Sequence, residues 1–126
     1  MDKEMSSLEK DVMLHLLAGK NNTLSVLRQQ YLSAVVKSKE YTGAGFFIYF
    51  TIPKDAPKLS SEQSFDIGDV AARIDGLQNG AGFILYINKG TIRMLEGYTF
   101  GEEIWPKSVE HYELYYTTNG KRNLPF

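Results

Sequence analysis

Few side chains in this sequence could act on a substrate, and only one has a charge that is hard to place. In the run "TIRMLEGYTF", alternation counted from Ile92 and Met94 puts Glu96 and Tyr98 on the apolar side of a strand. A carboxylate on a core-facing row needs a partner or titrates high, and both circumstances occur at functional sites. The competing and preferred reading is a bulge at Leu95 or Glu96 that turns Leu95 inward and leaves Glu96 in water. The two histidines fall in different contexts. His15 lies between Leu14 and Leu16 on a helical stretch, which suits a helix-surface histidine. His111, with Glu110 and Glu113 nearby, has the surroundings of a general base, but solvated residues at a strand start give the same pattern.

No Ser-His-Asp set can be assembled from these positions. The chain has no H-x-x-x-H spacing, no D-x-D-x-D-G loop and no cysteine, so neither a metal nor another cofactor is expected, and no catalytic residue is assigned. Beyond Glu96, "EGYTFGEEIWP" gathers Tyr98, Phe100 and the only tryptophan, Trp105, around Glu102 and Glu103, with Pro106 closing the segment. Aromatic residues in a glycine-containing loop give large contact area at low entropic cost, as recognition surfaces require. Glu96, Tyr98, Phe100, Glu102, Glu103 and Trp105 are therefore the candidate binding residues. The alternative is a loop that folds back and plugs the open face of a sheet.

Two near-identical stretches, "GAGFFIYF" at 43–50 and "GAGFILYI" at 80–87, each begin with Gly-Ala-Gly. A glycine loop cradles phosphate where a strand runs into a helix N-terminus. Both copies lead instead into strand-like runs, which makes them tight turns or bulges entering buried strands.

These segments need a scaffold. Ser6 and Glu9 form a capping box for a helix over 6–19, with Leu8, Val12 and Leu16 on one stripe and Gly19 as its stop. Thr23 can cap a second helix with Leu24, Leu27 and Tyr31 inward and Arg28, Gln29 and Gln30 turned to water. The chain then switches near residue 33 to a strand that turns at 42–44. Residues 46–52 read as a strand covered on both faces and closed by Pro53. Residues 53–64 read as an exposed loop, and 69–77 as a strand, although a helix turn also fits. Asn88-Lys89-Gly90 between two apolar runs predicts a β-hairpin. The alternating "YELYY" at 112–116 predicts a last strand followed by a mobile or docked tail.

Helices first and strands afterwards predict a single α+β domain over 1–126, with N-terminal helices packed on a mainly antiparallel sheet. Strands apolar on both sides leave a second face in need of cover, from the aromatic C-terminal part, the long loop or another subunit, and so predict a homodimer. With 126 residues, 43% hydrophobic and 13% aromatic, the chain has enough apolar surface to fold alone. A formal net charge of −1 gives no field favouring nucleic acid or an anionic membrane. The polar, acidic N-terminus, the lack of a long apolar run and the absence of cysteine predict a cytoplasmic location, with no membrane or nucleic-acid partner.

The run "GAGFILYINKGTIRMLEGYTFGEEIWP", with the earlier "EYTGAGFFIYF", resembles a family of small bacterial proteins of unknown function that share a G-x-G-F strand, an L-E-G-Y segment and a following W-P. The resemblance spans about residues 37 to 106. It implies a bacterial, single-domain, cytoplasmic protein and carries over no activity, ligand or catalytic residue. The functional expectation is a non-enzymatic protein-interaction module, immunity- or antitoxin-like, that binds a protein partner through residues 96–106. The alternative is a small-molecule-binding or hydrolytic domain with a pocket around Glu96.

Overall fold

A computed structural model describes residues 4–126. α1, Ser7–Leu16, starts at the capping box: Ser6 Oγ accepts from the Glu9 amide and Glu9 Oε1 from the Ser6 amide. It ends earlier than expected, with Leu17 as its cap, and Gly19 at φ +133° turns the chain afterwards. α2, Asn22–Ser33, is capped by Asn21, whose side chain accepts from the Thr23 amide, rather than by Thr23. Ala34 then takes extended backbone, and the switch to strand falls where the sequence placed it.

Six strands follow: β1 (Val35–Tyr41), β2 (Gly45–Thr51), β3 (Phe65–Ile74), β4 (Ala81–Asn88), β5 (Thr91–Thr99) and β6 (Tyr112–Tyr116). They form one antiparallel sheet in the order β1-β2-β5-β4-β3-β6. The fold is α+β with N-terminal helices on an antiparallel sheet. The β4–β5 turn has both Lys89 (φ 50°) and Gly90 (φ 80°) in the left-handed region, the conformation whose twist matches a two-residue hairpin.

One face of the sheet carries the core. Phe46, Ile48 and Phe50 of β2, Phe83, Leu85 and Ile87 of β4, and Ile92 and Leu95 of β5 are buried with Val12, Met13 and Leu16 of α1 and Leu24 and Leu27 of α2. Trp105, Val109, Leu124 and Phe126 pack on this same cluster. The long loop is anchored there too: Leu59 is buried, and its amide donates to the Gly90 carbonyl.

The large polar side chains sunk into this side are partnered, as burial demands, and only the Thr118 hydroxyl lacks a hydrogen-bond partner among the described residues. Gln30, expected in water, is fully buried because α2 turns it onto the hairpin, where Nε2 donates to the Gly90 carbonyl and Oε1 accepts from the Ile92 amide. Lys39 and Glu9 form an ion pair at 2.9 Å with side chains only 8% and 5% exposed. The tail is docked by Arg122, which grips Asp69 with two nitrogens and donates to the Leu16 and Ala18 carbonyls at the end of α1. Asp69 reaches that position because a bulge between Ile67 and Val70 inserts it into β3.

Candidate functional site

Register decides the fate of Glu96. The β4–β5 pairing shifts between Tyr86/Met94 and Ile87/Ile92, so the bulge falls at Arg93. Ile92 and Leu95 therefore both face the helices, and Met94, Glu96 and Tyr98 face the other way. The simple alternation from Ile92 is thus corrected: Glu96 does not lie on the core-facing row. A bulge turns Leu95 inward as preferred, but it sits earlier than Leu95 or Glu96.

The opposite face is nonetheless not a plain solvated surface. Glu96 stands between Phe47 of β2 and Ile84 of β4, Met94 between Tyr49 and Tyr86, and Tyr98 between Gly45 and Gly82. The result is a carboxylate ringed by aromatic and aliphatic side chains, all of them half-buried by one another. None of Phe47, Tyr49, Ile84, Tyr86, Met94 or Tyr98 belongs to the helix-side cluster. Both helices, the tail and Trp105 lie across the sheet, which corrects the expectation that β2 is covered on both faces.

Within this patch the Tyr86 hydroxyl donates to Glu96 Oε1 at 2.8 Å. Burial among the rings, and then the Glu96 carboxylate, push the Tyr86 phenol up to about 12. Burial and the same charge also raise Tyr98. Both phenols therefore stay protonated at neutral pH, and Tyr86 serves as the donor to Glu96. Among the described residues Glu96 has no ion-pair partner, and its one hydrogen bond is the neutral hydroxyl of Tyr86.

The glycine motifs shape the rim of this patch. Gly43 and Gly80 have positive φ, and the second glycines, Gly45 and Gly82, give close approach. A Cβ on Gly82 would lie 2.6 Å from the Tyr98 hydroxyl and 3.0 Å from the Phe100 ring, and one on Gly45 would lie 2.0 Å from the Gly97 carbonyl oxygen. The Tyr98 ring thus lies over β4 where Gly82 leaves room. Both motifs also hold the chain that leaves β5: the Thr99, Phe100 and Trp105 amides donate to the Ala44, Gly80 and Gly43 carbonyls. The repeated stretch is a structural device, consistent with its sequence context.

The 100–106 segment divides between the two faces. Phe100 packs edge-on against Tyr98 at 5.7 Å, extending the open face. Trp105 turns to the helix side and meets Phe46 and Phe83 edge-on at 5.1 and 6.3 Å, half-buried as a partial plug. Glu103 accepts from the Gln78 and Asn79 amides, which hold its carboxyl below the usual range and commit it to the 77–80 turn. Glu102 is exposed, and Ile104, which the sequence did not single out, is 81% exposed. Phe47, Tyr49, Ile84 and Tyr86 were also missed. Counting pairs outward from Lys89-Gly90 sets Ile84 opposite Leu95, and only the bulge at Arg93 sets it opposite Glu96.

The histidines are apart from this patch. His15 Nδ1 donates to the Asp11 carbonyl at 2.8 Å, and its ring meets Tyr116 on the helix side. His111 is exposed and lines a cleft of about 540 Å3 at the end of the sheet, with Arg73, Asp75 and Tyr115. Among the described residues no three His, Asp or Glu side chains gather as a metal site, and no helix is long and apolar enough to cross a membrane. No family model matches the chain, and no curated protein and no solved structure matches it significantly.

Proposed function

We propose that this chain is a non-enzymatic protein-interaction module that docks a protein partner on the uncovered sheet face, with Phe100 and Glu102 at its rim. The observation that carries the reading is the one-sided distribution of cover. Two helices, the long loop, Trp105 and the tail are all spent on one face, while the other presents Phe47, Tyr49, Ile84, Tyr86 and Tyr98. Contiguous apolar patches beyond a few hundred Å2 are uncommon on monomers and mark interaction sites. A rigid aromatic platform also binds at low entropic cost. Holding a second protein in this way is the kind of task that immunity proteins and antitoxins perform.

The pocket alternative has less support, because Glu96 lies on an open face and lines none of the main clefts. Self-association, which the sequence predicts, uses the same uncovered face and remains the competing occupant. The test is co-expression with the products of adjoining genes, comparing the parent with Ile84→Lys. A partner retained by the parent and lost by the variant, with both folded by circular dichroism, supports the reading. A partner held equally by both sinks it.

A further inference from the structure

We infer that the occupant of this face is a protein segment bearing a Lys or Arg side chain that Glu96 receives at the centre of the patch; the inference rests on the docking reading above and names the partner's chemistry. The argument is charge complementarity. Elsewhere in the fold, the two buried carboxylates among the described residues each meet a cation, Glu9 with Lys39 and Asp69 with Arg122, and burial of Glu96 by a partner would place it in that class. Glu96, half-buried at the middle of an apolar ring, meets only a neutral phenol. Of the cations on this face, Arg73 is occupied by Glu113 at 2.8 Å and by the Tyr115 ring at 5.5 Å, and neither Lys37 nor Arg93, at the β1 and β5 bulges, forms an ion pair with Glu96.

Covering the face without supplying a positive charge would strand Glu96 in a dry interface, where an unpaired carboxylate is strongly unfavourable. A second copy is the wrong occupant for this reason. A two-fold axis centred on Glu96 sets each Glu96 against its own image and brings like charges together on desolvation. A basic side chain solves both problems: its charged head pairs with Glu96, and its methylenes and cationic face lie against Phe47, Tyr86 and Tyr98, within the roughly 6 Å over which cation–π attraction acts. Tyr86 is already oriented by its bond to Glu96, leaving Oε2 for the incoming donor.

The probe is a random nonapeptide display library selected on the immobilised parent chain, with sequenced binders resynthesised and titrated against Glu96→Gln and Ile84→Lys. Ile84 lies directly opposite Glu96, so its replacement by lysine places a cation of the chain's own at the site. The result expected is a family of peptides with one invariant Lys or Arg, weakened at least about tenfold by Glu96→Gln and by raised salt, and abolished by Ile84→Lys. Binders that lack a fixed cation, or that ignore Glu96→Gln yet are blocked by Ile84→Lys, overturn the inference and leave the docking reading standing. Binders indifferent to both variants overturn the docking reading itself. Concentration-dependent dimerisation of the parent that Ile84→Lys abolishes and Glu96→Gln strengthens also overturns the inference, by assigning the face to a second copy.

Discussion

The two faces of the sheet are built from alternate residues of the same strands, yet only one of them meets carboxylates with cations. On the helix side Arg122 grips Asp69 and Lys39 pairs with Glu9, both carboxylates buried, while half-buried Asp11 accepts from the Tyr112 hydroxyl. On the open side Glu96 has Tyr86 and nothing cationic. The buried carboxylates of the helix face are neutralised within the chain. The open face has its hydrophobic surface in place and its electrostatics incomplete, which is the state of a surface that another molecule completes.

The largest expected contrast comes from adjacent residues of β4. Phe83 is fully buried against Phe46 and Trp105, so Phe83→Ala should cost about 3–5 kcal/mol. Ile84, one residue along and facing the other way, should cost about 1 kcal/mol or less when cut to Ala, since the free chain buries it only in part. Urea unfolding of both variants measures the contrast, and equal losses would mean that the open face is covered after all. Arg122→Ala comes next. It leaves Asp69 buried and unpaired and frees two helix-terminal carbonyls, for an expected loss of about 3 kcal/mol and a tail newly open to proteolysis.

A smaller pair lies in the first glycine motif. Gly45→Val forces a Cβ against the Gly97 carbonyl oxygen and should cost about 2–3 kcal/mol. Gly43→Ala meets nothing within 4 Å and carries only the left-handed backbone cost of about 1 kcal/mol. Thermal melts rank the two, and the reverse order would break the close-approach account.

The smallest effect is alkaline. Tyr86 on the open face and Tyr112 on the helix face are both pushed up to about 12, the first chiefly by burial and the second chiefly by its bond to Asp11. Because the folded values exceed the ordinary 10, the stability these phenols contribute is complete below about pH 10 and is lost as pH rises towards 12. Absorbance titration of tyrosinate should show, behind Tyr31, Tyr98 and Tyr116, which are also raised, the two latest-ionising phenols, Tyr86 and Tyr112. Tyr86→Phe should remove one of them, and Glu96→Gln should bring that one earlier without moving the other.

Legibility in the sequence followed how local the deciding interaction was. The capping box at Ser6 and Glu9, the left-handed turn at Lys89-Gly90 and the α+β order each depend on neighbours a few residues apart, and each could be read from the chain. The bulge at Arg93 could not, because Arg93 and Met94 give alternation no reason to slip. It follows from fitting β5 against β4. Gln30 had a readable position, three residues after Leu27 on the inward stripe, but a polar type that argued for water; only the waiting Gly90 carbonyl and Ile92 amide explain its burial. The candidate site was half legible for the same reason. Glu96, Tyr98 and Phe100 stand on the open face, whereas Trp105 and Glu103 went to structural duty through contacts with residues distant in sequence.

The Gln30 clasp also places events in time. Its two partners lie 60 and 62 residues further along the chain, so they exist as a matched donor and acceptor only once the Lys89-Gly90 turn has closed. Hairpins of this kind form in about 1–10 μs, well ahead of contacts that must close long loops. α2 can therefore lock on only once the hairpin is made, and the expectation is that this clasp forms late in folding. Removing the amide of Gln30 should then leave refolding nearly as fast as before and quicken unfolding, which makes this one side chain a latch on the lifetime of the native state.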